Sequence, residues 1–182
     1  MKSNPLKLLT LILASFLHFS LAFSEIEARH KHKDKPKQNA AYDEVVSLGA
    51  RCQVAMQMEH HGIRHLAYPF DWIVTSAQGL GSFITNHGSH FLDLDKVIYV
   101  EEYAGNPPYY FVKDTHYNFE SYHDFLPPHI PGNFEVVKDK FQRRIKRFFA
   151  LLGSDKKVLF LRTDITRQDA EYLDNIIHTV YP

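Results

Sequence analysis

A long amphipathic segment, Phe134 to Leu152, limits the folds open to this chain more than any other part of the sequence. Its apolar side chains recur every three or four residues with arginine and lysine largely between them, which predicts a helix with one buried face. Gly153 is placed to end this helix. Beyond it, residues 158–161 form an apolar run typical of a central strand, and the capping sequence at 166–169 predicts another helix.

The residues before this segment alternate in the same way, and the helix predicted at 51–61 carries Cys52, Ala55, Met56 and Glu59 on one stripe. Strand alternating with helix implies an α/β fold. We therefore expect a single α/β domain over residues 42–182, with a mixed or mostly parallel sheet flanked by helices. Its other predicted elements are a strand at 45–48, an aromatic and β-branched run at 68–74, a helix at 77–86, and strands from 97 to 125 around a turn at 106–108.

The first 41 residues are expected to lie outside this domain. Residues 1–24 have the features of an export signal, because Lys2 and Lys7 precede an apolar run and small residues suit cleavage after Ser24. Residues 25–41 are rich in bases and lack apolar periodicity, which predicts a solvated tether. We therefore expect an exported protein, secreted, periplasmic or within the secretory pathway. No later segment is apolar for long enough to give a stable membrane span.

The composition excludes several classes of protein. Of the 182 residues 45% are hydrophobic, too many for a disordered chain, and 21 bases balance 21 acids. A general nucleic-acid binder would carry a basic field, so we expect no nucleic-acid partner. The single cysteine also excludes an internal disulfide framework. The sequence leaves the oligomeric state open.

Cys52 has three possible roles: a buried apolar filler, a partner in an intermolecular disulfide, or a reactive thiol. It lies at the predicted start of a helix, where unpaired backbone amides and the helix dipole favour a thiolate. Arg51 adds positive charge beside it. A thiol nucleophile also needs a nearby base, and usually a third group that orients the base.

His123 is the candidate base among twelve histidines. In a regular strand at 117–125, His123 shares one face with Phe119, Ser121 and Phe125. Its imidazole would then be partly buried, and a buried imidazole needs a polar partner.

Three aspartates are candidates for the orienting group. Asp124 faces the other side of a regular strand, so it can orient His123 only if the backbone bends. Asp71 lies between two aromatic residues, where a buried carboxylate would need to pair with Arg64, with a histidine or with a backbone donor; a turn or cap role competes with catalysis there. Asp164 follows a predicted strand end, where α/β sites gather, and it is also placed to cap a helix.

Several short motifs after residue 42 match those of a known domain family. They are Ser47-Leu-Gly-Ala-Arg-Cys52, Arg64 with Tyr68-Pro-Phe-Asp-Trp72, His123-Asp-Phe125, Arg143-Arg144 with Arg147-Phe148, and Leu159-Phe-Leu-Arg162. On these motifs the chain resembles an uncharacterised family labelled "putative papain-like cysteine peptidase". The resemblance covers most of the chain after residue 42. It implies a relative of the papain-like cysteine hydrolases, in which Cys52 is the nucleophile and His123 the base.

The implied reaction cleaves a peptide, an isopeptide or another amide through an acyl-enzyme. Helix N-terminal amides would hold the oxyanion, and water would then release the acyl group. We take Arg51 and Trp72 as candidate substrate-binding residues, and we expect no cofactor and no metal.

Two alternatives belong to other functional classes. The first is a secreted, non-catalytic binding module that contacts an anionic or glycan partner through aromatic side chains and an arginine face at 143–147. The second is a metal-dependent enzyme built on His60, His61 and His65, which is weaker because Gly62 interrupts the helix that would align them.

Overall fold

A computed structural model describes residues 41–103, 109–126 and 133–182 of the protein. These residues form strands and helices that alternate along much of the chain. In order they are β1 (Glu44–Ser47), α1 (Gln53–His60), β2 (Ile73–Val74), α2 (Ala77–Thr85), β3 (Val97–Tyr103), β4 (Tyr109–Asp114), β5 (Phe119–Phe125), α3 (Phe134–Leu152), β6 (Val158–Leu161) and α4 (Arg167–Val180).

The strands in these ranges form two sheets. β1 and β6 pair in parallel, with Ser47 opposite Leu161. The other sheet is antiparallel, in the order β2-β5-β4-β3, and short connections between consecutive strands favour that pairing. The predicted α/β fold is confirmed in its mixed form, since both kinds of pair occur. A mostly parallel sheet is not what forms, because the described strands contain a single parallel pair.

Aromatic rings fill the core between these elements. Phe70 meets Phe83 and Phe148 edge to face, with ring centroids 5.1 and 5.2 Å apart. Phe148 belongs to the apolar stripe of α3, on which Val137 and Phe141 are also buried. The predicted bounds of this helix are confirmed.

Two of the helices begin at residues that cap them. Ser76 caps α2 by accepting a hydrogen bond from the amide of Gly79 at 3.0 Å. Thr166 caps α4 by accepting from the amide of Asp169 at 3.1 Å. The helix start that the sequence indicates at 166–169 is therefore confirmed.

α1 is shorter than predicted and turns a different face to the core. It covers Gln53–His60 and buries Val54 and Met58, which are one helical turn apart. The predicted stripe does not match the buried face, since Ala55 is buried with Val54 and Met58 whereas Met56 is 50% exposed. Cys52 is the N-cap residue, so its side chain precedes the stripe.

Some predictions fall outside the described residues. They concern the export signal at 1–24, nearly all of the tether at 25–41 and the turn at 106–108. Within the described ranges, no helix is both long and apolar enough to cross a membrane.

Candidate active site

Cys52 lies where the chain leaves β1 and enters α1. Its backbone carbonyl accepts the first helical hydrogen bond, from the amide of Met56 at 3.0 Å. Its side chain makes no capping bond and is half-buried. The structure therefore does not place Cys52 among the buried apolar residues, and Cys52 stands at the end of α1 where the first-turn amides have no helical carbonyl to bind.

The loop before Cys52 has an unusual backbone. Gly49 and Ala50 both have a positive φ, of 74° and 62°. The amide of Gly49 donates to Ser47 Oγ at 3.1 Å. The amide of Ala50 donates to Thr75 Oγ1, and the amide of Thr75 donates to the carbonyl oxygen of Ala50, each at 3.4 Å. Thr75 follows β2, so residues distant in sequence hold the loop that positions Cys52.

Asp164 reaches the same loop from the neighbouring strand. It follows β6, and its carboxylate lies 3.2 Å from Arg51 Nε. Both side chains are more than half exposed, at 66% for Arg51 and 60% for Asp164, so this ion pair contributes little stability. Asp164 does not cap α4, because Thr166 holds that position. The structure thus brings Arg51, the residue before Cys52, together with Asp164 at the carboxyl ends of two parallel strands.

Asp71 is buried and paired through one carboxylate oxygen, while its Oδ1 has no hydrogen-bond partner among the described residues. Its Oδ2 accepts from Arg64 Nε at 3.0 Å and Nη2 at 2.7 Å, and from the amide of Tyr68 at 3.0 Å. Burial raises the pKa of Asp71, and the bonds from Arg64 and Tyr68 oppose that shift. The predicted pairing with Arg64 and a backbone donor is confirmed. Trp72 belongs to the same cluster, with the Arg64 guanidinium 5.6 Å from its ring centroid.

His123 is exposed, so the prediction of a partly buried imidazole is wrong. The reason is a break in the register of β5. Tyr110 pairs with Phe125 and Val112 with Ser121, so four steps along β5 span two steps along β4. This bulge carries His123 off the face on which Ser121 and Phe125 are buried.

Asp124 lies in the same bulge, and its carboxylate has two partners. Ser121 Oγ donates to Oδ2 at 2.6 Å, and Lys140 Nζ on α3 lies 2.5 Å from Oδ1. The backbone does bend here, as an orienting role for Asp124 requires. The bond with Lys140 joins β5 to α3, and the bond from Ser121 lies within β5, which gives Asp124 a structural role.

The register of β2 with β5 shows where His123 lies along β2. Ile73 lies opposite Ser121 and Val74 opposite Glu120. His123 therefore lies beyond Ile73, whereas Thr75, at the other end of β2, contacts the loop of Cys52. Arg51 and Asp164 contact each other beside Cys52, Arg64 contacts both Asp71 and Trp72, and Asp124 binds Ser121 in the strand of His123. The pairing of Cys52 with His123 stays a prediction.

The structure gives limited support to the two alternatives, the metal-dependent enzyme and the non-catalytic binding module. In the described ranges, no group of three or more histidine, cysteine, aspartate or glutamate side chains could hold a metal ion. His65 Nδ1 lies 3.9 Å from Glu44. On the arginine face, Arg147 Nη1 donates to the carbonyl oxygen of Ala67 at 2.5 Å, and burial lowers the pKa of Arg144. Two arginines of that face are thus engaged within the fold, which weakens the binding-module alternative.

Sequence reasoning assigned no role to two residues that hold the Cys52 loop, Thr75 and Arg162. Arg162 Nη1 donates to the carbonyl oxygen of Leu48, the residue before Gly49, at 2.5 Å. For Arg162 the signal in the sequence was a charged residue directly after an apolar strand, within one of the motifs that the family shares. Its partners are remote in sequence, so the signal did not reveal them.

A half-buried thiol at a helix N-cap, beside the ends of two parallel strands in a mixed α/β domain, defines a candidate thiol-dependent enzyme. The chain belongs to the family described as "Putative papain-like cysteine peptidase", whose model matches residues 43–180. It is similar to an uncharacterized protein of Acanthamoeba polyphaga mimivirus, 26% identical over 161 residues, a match that covers 72% of this chain and 69% of that protein. No solved structure gives a significant match.

Proposed function

We propose that the protein is a thiol-dependent hydrolase that cleaves a peptide or amide bond, with Cys52 as nucleophile. The observation that carries this proposal is the position of Cys52, half-buried at the N-cap of α1. Amides in the first turn have no helical carbonyl to bind, so they can stabilise a thiolate or an oxyanion. Membership of the family is consistent with this chemistry.

The proposed reaction has two halves. The thiolate of Cys52 attacks the carbonyl carbon and forms a C–S bond, and the oxyanion accepts hydrogen bonds from the first amides of α1. The C–N bond then breaks, and the amine leaves with a proton from the general acid. Water attacks the thioester and gives a proton to the same group. The C–S bond breaks, which restores the thiolate and releases a carboxylic acid that gives its proton to water.

We assign the acid–base role to His123 as a separate part of the proposal. Its exposed position in a bulge leaves the imidazole outside the apolar core. Bulges often direct a side chain toward a site. Ser121, which lies opposite Ile73, is two residues before His123, and the pairing of His123 with Cys52 needs a test independent of the nucleophile.

The nucleophile is tested by alkylation of the native protein with iodoacetamide. Cys52 is the only cysteine, so the intact mass reports on this thiol alone. An ordinary thiol ionises near pH 8.5, so we expect one alkyl group to be added at a rate that persists below about pH 8. Cys52→Ala should remain unmodified and should lack hydrolytic activity on a library of fluorogenic peptide amides. A thiol that reacts only in denaturant would contradict the proposal.

The base is tested by comparing His123→Ala with His116→Ala. His116 is an exposed histidine in the turn before β5, which makes it a matched control. We expect His123→Ala to slow alkylation of Cys52 and His116→Ala to leave the rate unchanged. Equal rates in both variants would remove the assignment of His123 and leave that of Cys52 intact.

We also propose that residues 1–24 direct export and are removed after Ser24. The support is the sequence pattern, two lysines before an apolar run with small residues at its end. Expression of the full chain in a secreting host, with mass analysis of the N-terminus, should find mature protein beginning at Glu25. Leu13→Arg should block export, because it places a charge within the apolar run. Retention of the intact wild-type chain in the cell would contradict this part.

A further inference from the structure

A buried arginine links the segments around the Cys52 loop. Arg162 is the first residue after β6 and is 7% exposed. Its Nη1 donates to the carbonyl oxygen of Leu48 at 2.5 Å and to Thr75 Oγ1 at 2.8 Å. Its Nη2 donates to the carbonyl oxygen of Thr75 at 2.6 Å. One side chain therefore joins the ends of β1, β2 and β6.

The guanidinium of Arg162 is held without a carboxylate at ion-pair distance in the described part of the chain. Its Nε is buried without a hydrogen-bond partner there. Burial lowers the pKa of Arg162 to about 10, and Asp169 and Asp164 oppose that shift over a longer distance. A buried charge without a counterion is unfavourable for folding. Stability alone therefore gives a poor account of an arginine at this position.

The acceptors of Arg162 adjoin the strained part of the loop. Leu48 precedes two residues with positive φ, Gly49 and Ala50. Thr75 in turn makes two hydrogen bonds to Ala50. A residue with a Cβ rarely adopts this conformation unless its surroundings enforce it. Arg162 thus binds Leu48, which directly precedes the strained residues, and Thr75, which bonds to Ala50 within the loop.

We propose that Arg162 is a positioning residue for the thiol of Cys52, acting through Leu48 and Thr75. This inference rests on the proposed function. First-turn amides favour a thiolate only while the sulfur stays at the helix end, and the loop sets where Cys52 enters α1. Lysine keeps the charge, but its single ammonium cannot reproduce the planar fork that spans two carbonyl oxygens and a hydroxyl.

The test compares alkylation of Cys52 by iodoacetamide, as a function of pH, in the full chain and four variants. Arg162→Lys and Thr75→Val each remove part of the linkage, and Thr75→Ser keeps the hydroxyl. We expect the first two to raise the midpoint of the rate profile by about half a pH unit, which slows the reaction below the midpoint about threefold. Thr75→Ser should match the wild type.

Val137→Ala separates positioning from general loss of stability. Val137 is buried on α3, outside the network of Arg162. The expected result is a lower melting temperature with an unchanged rate profile. If circular dichroism shows that Arg162→Lys does not fold, the pair of variants at Thr75 decides.

Each outcome has a distinct meaning. Profiles of Arg162→Lys and Thr75→Val that superimpose on the wild type would overturn the positioning role, while a reactive wild-type thiol would still support the proposed function. An equal shift in Val137→Ala would also overturn it, since the effect would then be general. A wild-type thiol that reacts only when unfolded would overturn the proposed function, and the role of Arg162 with it.

Discussion

Gly49 is the position where a single added methyl group should disturb the Cys52 loop most. Its φ is +74°, and a Cβ built there would lie 2.9 Å from Thr75 Oγ1, 3.3 Å from the carbonyl oxygen of Phe70 and 3.5 Å from that of Ile73. The backbone oxygens cannot move without moving the chain, so the hydroxyl of Thr75 has to give way. Gly62 offers a matched control, because it has a φ of +67° and nothing within 4 Å of the added Cβ.

The two substitutions share one energetic effect and differ in another. An alanine in the left-handed region costs about 1 to 2 kcal/mol. The smaller freedom of the unfolded chain offsets about 0.4 to 1 kcal/mol of this. Gly62→Ala should therefore lower the free energy of unfolding by about 1 kcal/mol. At Gly49 the displaced Thr75 hydroxyl also loses its bonds to Ala50 and Arg162, which adds about 2 kcal/mol.

The assay is thermal unfolding followed by circular dichroism, with urea unfolding as a second measure. For a domain of this size 1 kcal/mol shifts the melting temperature by roughly 4 °C, so Gly49→Ala should melt about 8 °C below Gly62→Ala. Melting temperatures that agree within about 2 °C, on the same scale, would refute the reasoning that contact with Thr75 requires glycine at position 49.

Other predictions test the parts of the fold that support the site. Ser76→Ala and Thr166→Ala should each lower the free energy of unfolding by about 1 kcal/mol, because each removes a helix cap; unchanged urea midpoints would contradict the capping roles. Asp71→Asn should cost about 3 kcal/mol in urea unfolding, because it leaves Arg64 without its buried carboxylate; a loss below about 1 kcal/mol would show that the pair is not required. Burial raises the pKa of Asp114 above 3.8, so the native state binds this proton more tightly than the unfolded state. Its contribution to stability should be largest below pH 3.8 and fall as the pH rises toward the native pKa, and Asp114→Asn should abolish that decline in unfolding free energies measured across acidic pH.

Local patterns account for the elements that could be predicted from the sequence. α3 needs only the spacing of its own apolar residues, and α4 needs only its apolar spacing and the cap at Thr166. Asp71 is a similar case, because its position between aromatic residues requires a partner, and the sequence offered Arg64 nearby. Each of these predictions depends on residues close together in the chain.

The bulge in β5 could not be predicted in this way. Alternation along 117–125 fits a regular strand, and nothing in that segment indicates extra residues between Ser121 and Phe125. The bulge exists because both residues keep buried positions against β4, whose pairing partners are only two steps apart. Since a bulge is a property of two strands together, the exposure of His123 follows from the register and not from its own segment.

The same register bears on the distance between His123 and the Cys52 loop. Thr75, which bonds to Ala50, follows Val74, and Val74 lies opposite Glu120. Three regular steps from Glu120 to His123 would advance by roughly 10 Å at about 3.3 Å per residue, and the bulge after Ser121 shortens this distance. In a hydrogen bond between an imidazole and a thiol, the nitrogen and the sulfur are about 3 to 4 Å apart. A Cys52–His123 hydrogen bond therefore requires the β5 bulge and the Cys52 loop to approach each other. Slower alkylation of Cys52 in His123→Ala would therefore indicate that His123 approaches Cys52 in solution. Iodoacetamide is small, so its rate of reaction reports on the base without an extended substrate.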